Sequence, residues 1–147
     1  MVSSEVDTLV VQPELAELAR IADWAEALAA EMRLPAATAF AIQLCLEEAV
    51  TNVVRHGLAD RQPGRGDEIL LSLQRRGDAV IVEIRDPGVA FDPLSLAAPA
   101  HATTVDEAVV GGQGVHLMRK FSQHMGYQRR DGMNCLTFRF DLPRPLA

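Results

Sequence analysis

Glu48 and Asn52 stand four residues apart in the run LEEAVTNVVRHG, residues 46–57. On a helix that spacing stacks a carboxylate and a carboxamide on one face. At ~100° per residue, Gln43, Glu47, Thr51 and Arg55 form a solvent stripe, with Ile42, Leu46, Ala49 and Val53 opposite them as a core stripe. Glu48 and Asn52 belong to neither. They lie at the margin, next to Cys45 and His56. An edge carboxylate bonded to a neighbouring amide has the same pattern. A functional reading requires other segments to bring phosphates or a metal to this margin.

Two other segments can do so. RDPGVAFDP, residues 85–93, leaves a strand with an acid followed by proline and glycine. The Asp86 carboxylate at a strand end can accept a hydrogen bond from an exocyclic amine, and Gly88 lets a flat ring approach the backbone. An ordinary turn fits the same residues. GGQGVHLM, residues 111–118, sets glycines just before a helix. Unpaired backbone N–H groups and the helix dipole favour anions such as phosphates there, although glycines open many helices without a ligand.

The elements that must position these residues read as follows. Residues 7–12 form a first strand. Residues 13–35 carry apolar positions at 15, 18, 21, 24, 28 and 32, a helical spacing bounded by prolines. A second helix runs from about Pro35 to Gly57. After a loop, residues 68–86 read as two strands joined at Gly77-Asp78. Residues 87–95 are a loop, and 96–112 are rich in small residues without clear periodicity. Helical spacing resumes over 114–125 through Val115, Leu117, Met118, Phe121 and Met125. Residues 127–143 finish as two strands around Asp131-Gly132. This order predicts a single α+β domain over residues 1–147, with helices packed on one face of a mixed, mostly antiparallel sheet. Neither a P-loop nor a Rossmann glycine fingerprint is present.

Composition narrows the classes. The 147 residues include 14 Lys and Arg against 20 Asp and Glu, a formal charge of −6. Acidic and basic residues are interspersed, so no basic stripe offers itself to a phosphate backbone, and nucleic acid is not an expected partner. Cys45 and Cys135 lie in apolar stretches without metal-ligand spacing and read as core thiols. No apolar run is read as long enough to span a bilayer, and the first residues lack the order of a signal peptide. The expectation is a cytoplasmic protein without a membrane contact.

Taken together, a Glu-x-x-x-Asn helix, Asp-x-Gly after a strand, Gly-x-Gly before a helix, and NCLTFRF in the last strand resemble the GHKL (Bergerat) ATP-binding fold, a two-layer sandwich. EEAVTNVVRHG, DPGVAFDP and GGQGVHLMRKF followed by NCLTFRF are most similar to the anti-sigma factor serine kinases of the RsbW and SpoIIAB type. The resemblance spans about residues 8–141. It implies ATP and Mg2+ as cofactors. Asn52 would ligate the metal, and Glu48 would be the catalytic base for a substrate serine. Asp86 would accept from the adenine amine, with Gly88 admitting the ring and Thr137 supporting the same contact. Gly112 and Gly114, with the backbone of Val115, would cradle the phosphates. Arg55 and His56 end the helix motif, Arg55 facing solvent and His56 either packing or contacting ligand. Residues 95–111 would form a lid, with Thr103 and Thr104 as phosphate contacts. Ala90 replaces a second glycine and Gln123 replaces an acid found in many relatives, which bears on catalytic rate and lid contacts.

The resemblance further implies a serine-protein kinase that is also an anti-sigma factor. It would bind a sigma factor and phosphorylate a serine of a STAS-type anti-anti-sigma protein, and relatives of this type are homodimers. Two alternatives stay open. One is a non-catalytic nucleotide-binding module that sequesters its partner, and the other is a bare ATPase module of the MutL kind.

Overall fold

The computed structural model describes residues 6–57, 66–95 and 113–143. Five strands form one sheet: β1 (Val6–Val11), β2 (Ile69–Arg76), β3 (Ala79–Asp86), β4 (His124–Arg130) and β5 (Met133–Asp141), in the order β1-β2-β3-β5-β4. Every pairing among the described strands is antiparallel, in keeping with the mostly antiparallel sheet expected. The α+β architecture is as anticipated, with three helices among the described residues, α1 (Leu18–Glu31), α2 (Ala36–Asn52) and α3 (Gln113–Phe121).

Alternation along the strands decides which face the helices cover. Ile69, Leu71 and Leu73 of β2, Val80, Val82 and Ile84 of β3, and Leu136, Phe138 and Phe140 of β5 are buried at every second residue. From the helical layer α2 contributes Ala41, Ile42, Cys45, Leu46, Ala49 and Val50 to the same core. Val53, expected within that stripe, is half-buried at its end. Helix α2 packs between α1 and α3.

Both hairpins turn where their sequences require. Gly77 has φ of 60°, the first central position of a II′-type turn, and Asp131 and Gly132 are both left-handed at 52° and 75°, as in a type I′ turn. The second hairpin starts earlier than its sequence suggested. Helix α3 stops at Phe121, and Met125 lies on β4 instead of on a helical face. The Ser122 hydroxyl donates to the Met118 carbonyl, and the Gln123 amide donates to the Arg139 carbonyl. The chain thus joins β5 before another helical turn can form.

A second correction concerns hydropathy. Residues Ala36–His56 are long and apolar enough to cross a membrane on length and composition alone, contrary to the reading of the sequence. In the fold this segment is the central helix of the core and its terminal turn.

Leu46 is fully buried at the middle of α2. Leu46→Ala is expected to cost about 2–5 kcal/mol in denaturant unfolding, whereas Glu47→Ala, on the exposed face, should stay within about 0.5 kcal/mol.

Candidate nucleotide site

The site is assembled along the margin of α2. At its C-terminal end the helix passes into a π-helical turn over Val53–Gly57. Asn52 is half-buried and lines a slot with Ala49 of the same helix and Val53 of the π-helical turn. Ile84 and Asp86 of β3, Tyr127, Asn134 and Leu136 of the second hairpin, and Phe91 and Pro93 complete the lining. The lining is mainly apolar with a few convergent polar groups, the composition of a small-molecule site.

Asp86 is 4% exposed at the end of β3, in register with Asn134. Its Oδ1 accepts from the Gly88 amide at 2.9 Å and from Asn134 Nδ2 at 3.1 Å. Gly88 is buried, and its carbonyl accepts from Arg129 at 2.7 Å. The loop continues in the same pinned manner. Asp92 Oδ1 accepts from the Leu94 amide, and the Leu94 carbonyl accepts from Arg119 of α3 at 2.7 Å. The segment from Asp86 to Ser95 is therefore held by both β4 and α3.

Glu48 lies one helical turn before Asn52, where α2 meets the first turn of α3. A Cβ added to Gly114 would sit 2.6 Å from Glu48 Oε2. The carboxylate thus occupies the space that any side chain at position 114 would need. Burial, first, and the neighbouring Glu47 charge raise the pKa of Glu48 above the ordinary carboxylate value, and Arg55 opposes them. Such a carboxylate is a stronger base than a solvated one. Beside it, the Cys45 thiol is pushed up to about 12 by burial and by the Glu48 charge, and it faces the Met118 carbonyl. It is an unreactive core thiol, and Cys135 is buried as well.

The structure brings Asn52 and Asp86 to the slot, with the Gly88 amide bonded to Asp86, and Glu48 to the α2–α3 seam with Gly114. Val115 is buried behind the first turn of α3. Thr137 does not join them. It alternates with Leu136 and Phe138, so it points to the other face of the sheet, in register with Glu83 and Gly126. There Glu83 pairs with Arg85 and with Arg130. The position that faces Asp86 belongs to Asn134, three residues earlier. Asn134 was missed, although a signal existed: it has the same parity as Leu136, Phe138 and Phe140, so a polar side chain there must enter the core. Tyr127 and Phe91 were missed too. His56 stacks on Phe91, with ring centroids 5.3 Å apart, while Arg55 is exposed. Gly112, Thr103, Thr104 and all but the first residue of the expected lid lie outside the described residues.

The raised Glu48 pKa has a consequence for stability. The folded chain holds that proton more tightly than the unfolded chain, so stability declines as pH rises from the ordinary value to the raised one. Glu48→Gln removes the penalty. A higher melting temperature than native is expected at pH 7, and the gap should close as pH falls below the ordinary value of 4.5.

Comparison with known proteins agrees with this geometry. Residues 11–140 match the family model described as histidine kinase-like ATPase domain. The chain is 37% identical over 135 residues to the serine/threonine-protein kinase BtrW of Bordetella bronchiseptica, covering 92% of this chain and 93% of that protein. A core helix with its Glu/Asn margin, an acid ending the central strand and a glycine-opened helix are thus joined to a match across nearly the whole sequence: the chain belongs to the histidine kinase-like ATPase domain family.

Proposed function

We propose that this protein is an ATP-dependent serine/threonine-protein kinase that acts as an anti-sigma factor in the cytoplasm. It would hold a sigma factor by contact and phosphorylate a serine on a STAS-type anti-anti-sigma protein. The observation that carries the kinase reading is the position of Glu48. A partly desolvated carboxylate, one helical turn from Asn52 and against the start of α3, stands where a general base would meet a hydroxyl approaching a bound phosphate. The near-full-length similarity to a serine/threonine-protein kinase supports the same reaction class.

In this reading adenine enters the slot and meets Asp86, with Ile84 and Leu136 among the apolar walls. The phosphates run toward the N-terminus of α3, where backbone N–H groups and the helix dipole favour negative charge. Mg2+ keeps several waters and takes phosphate oxygens, and Asn52 would add its amide oxygen. Bound there, the ion would neutralise charge on the phosphates. Glu48 accepts the serine proton while the hydroxyl oxygen attacks the terminal phosphorus, and ADP leaves. The added phosphate changes the antagonist's charge by about −1.5 to −2 at neutral pH, enough to change which partner the kinase retains.

Three substitutions separate the roles. Glu48→Gln should lower phosphoryl transfer by roughly 10²–10⁴-fold in a radiolabelled ATP assay with a STAS-type substrate, while ATP binding by calorimetry stays near native. Asn52→Ala should abolish the Mg2+-dependent part of ATP binding. Gly114→Ala should fold normally, since only the end of a flexible side chain must yield, yet lose on the order of 10²-fold in turnover through displacement of Glu48. ATP binding without transfer by the native chain would instead support a nucleotide-binding module that only sequesters its partner.

A further inference from the structure

Asn134 has a bonding pattern that the adenine reading alone does not require. Its Nδ2 donates to Asp86 Oδ1 at 3.1 Å and to the Val89 carbonyl at 2.8 Å. Its Oδ1 accepts from the Phe91 amide at 3.1 Å and from the Tyr127 hydroxyl. A carboxamide has two N–H donors and two acceptor lone pairs, so all four are committed. The side chain is 4% exposed. The two acceptors on one side and the two donors on the other fix which end of the amide points where. One residue of β5 therefore ties together the end of β3, the loop that follows it, and β4.

We infer that Asn134 is the positioning residue that sets base selectivity at this site, by holding the Asp86 carboxylate and the Val89–Phe91 backbone in the one arrangement that accepts a 6-aminopurine. This deepens the proposed function and rests on its placement of the base against Asp86. Asn134 has no hydrogen-bonding capacity left for a ligand, so it acts through Asp86. With Oδ1 held by the Gly88 amide and by Nδ2, the carboxylate cannot rotate without breaking two bonds in a buried place. A carboxylate so fixed accepts from an exocyclic amine. It repels the carbonyl oxygen of a 6-oxopurine, where acceptor would face acceptor. Without Asn134 the carboxylate could turn, and the Val89 carbonyl would lose its donor. Phe91, which lines the slot, would lose the anchor of its amide.

The test compares ATP with ITP, which carries a 6-oxo group, by calorimetry on native protein, Asn134→Leu and Tyr127→Phe, each checked for folding by thermal melt. Native protein should prefer ATP by at least about 100-fold, the range open to a site that hydrogen-bonds its substrate. Asn134→Leu should weaken ATP by about 10- to 100-fold with little change for ITP, so the preference falls by the same factor. Tyr127→Phe frees one side of the amide and should lower the preference in the same direction by several-fold. It carries the test if Asn134→Leu does not fold. An equal loss of ATP and ITP affinity in the folded variants would overturn the inference, because a merely structural residue lowers both alike. A preference in the variants equal to native would also overturn it. Native protein that binds neither nucleotide, or both equally, would instead refute the assignment of the slot to adenine.

Discussion

The packing of α2 into the sheet is the constraint on which the site depends. Ala41, Ile42, Cys45, Leu46, Ala49 and Val50 are buried along one side of the helix, against a core that includes Phe138 and Phe140. Burial of side chains of this size stabilises by about 1.5–3 kcal/mol each for the larger ones, so the rotation of the helix about its axis is not negotiable. Once that rotation is set, the azimuth of Glu48 and Asn52 follows. They emerge at the seam where α2 meets α3 and the end of β3. A rotation of one residue, ~100°, would bury Glu47 or expose the core stripe. The polar pair is thus aimed by apolar residues that take no part in its chemistry.

The sheet does the corresponding work on the other side. The register of β3 with β5 sets Asp86 opposite Asn134, and the type I′ turn at Asp131-Gly132 brings Tyr127 of β4 to the same end. Loop residues 87–95 would otherwise be the variable part of such a wall. Here Asn134, Arg129 and Arg119 each hold a backbone carbonyl of that loop. The slot wall is consequently a continuation of the sheet. That is the condition for a carboxylate to present one fixed acceptor.

Much of this was legible in the residues. The period of α2 separated Glu48 from Glu47, and the glycines at 77 and 132 marked both hairpins. The Asp-Pro-Gly junction marked the end of β3. What failed did so for identifiable reasons. Thr137 was drawn from a motif without regard to strand parity, and parity is the stricter constraint, because a slip of one residue sends a side chain to the opposite face. Helix α3 was read too long because Met125 continues its spacing, whereas pairing of Gln123 with β5 ends it. The close approach of Gly114 to Glu48 joins residues 66 positions apart and has no local signature.

A π-helical turn follows Asn52. Bonding from i to i+5 accommodates one residue more than an α-helix would over the same rise, and such bulges are frequent at functional sites. That extra residue lets the chain satisfy two phases at once: α2 keeps its core stripe up to Asn52, while His56 comes round onto Phe91. In a homologous chain one residue shorter between the asparagine and the glycine, the imidazole would leave the aromatic ring even if every side chain were retained. Spacing here is itself a heritable character, one that a comparison scored only by matching letters would pass over.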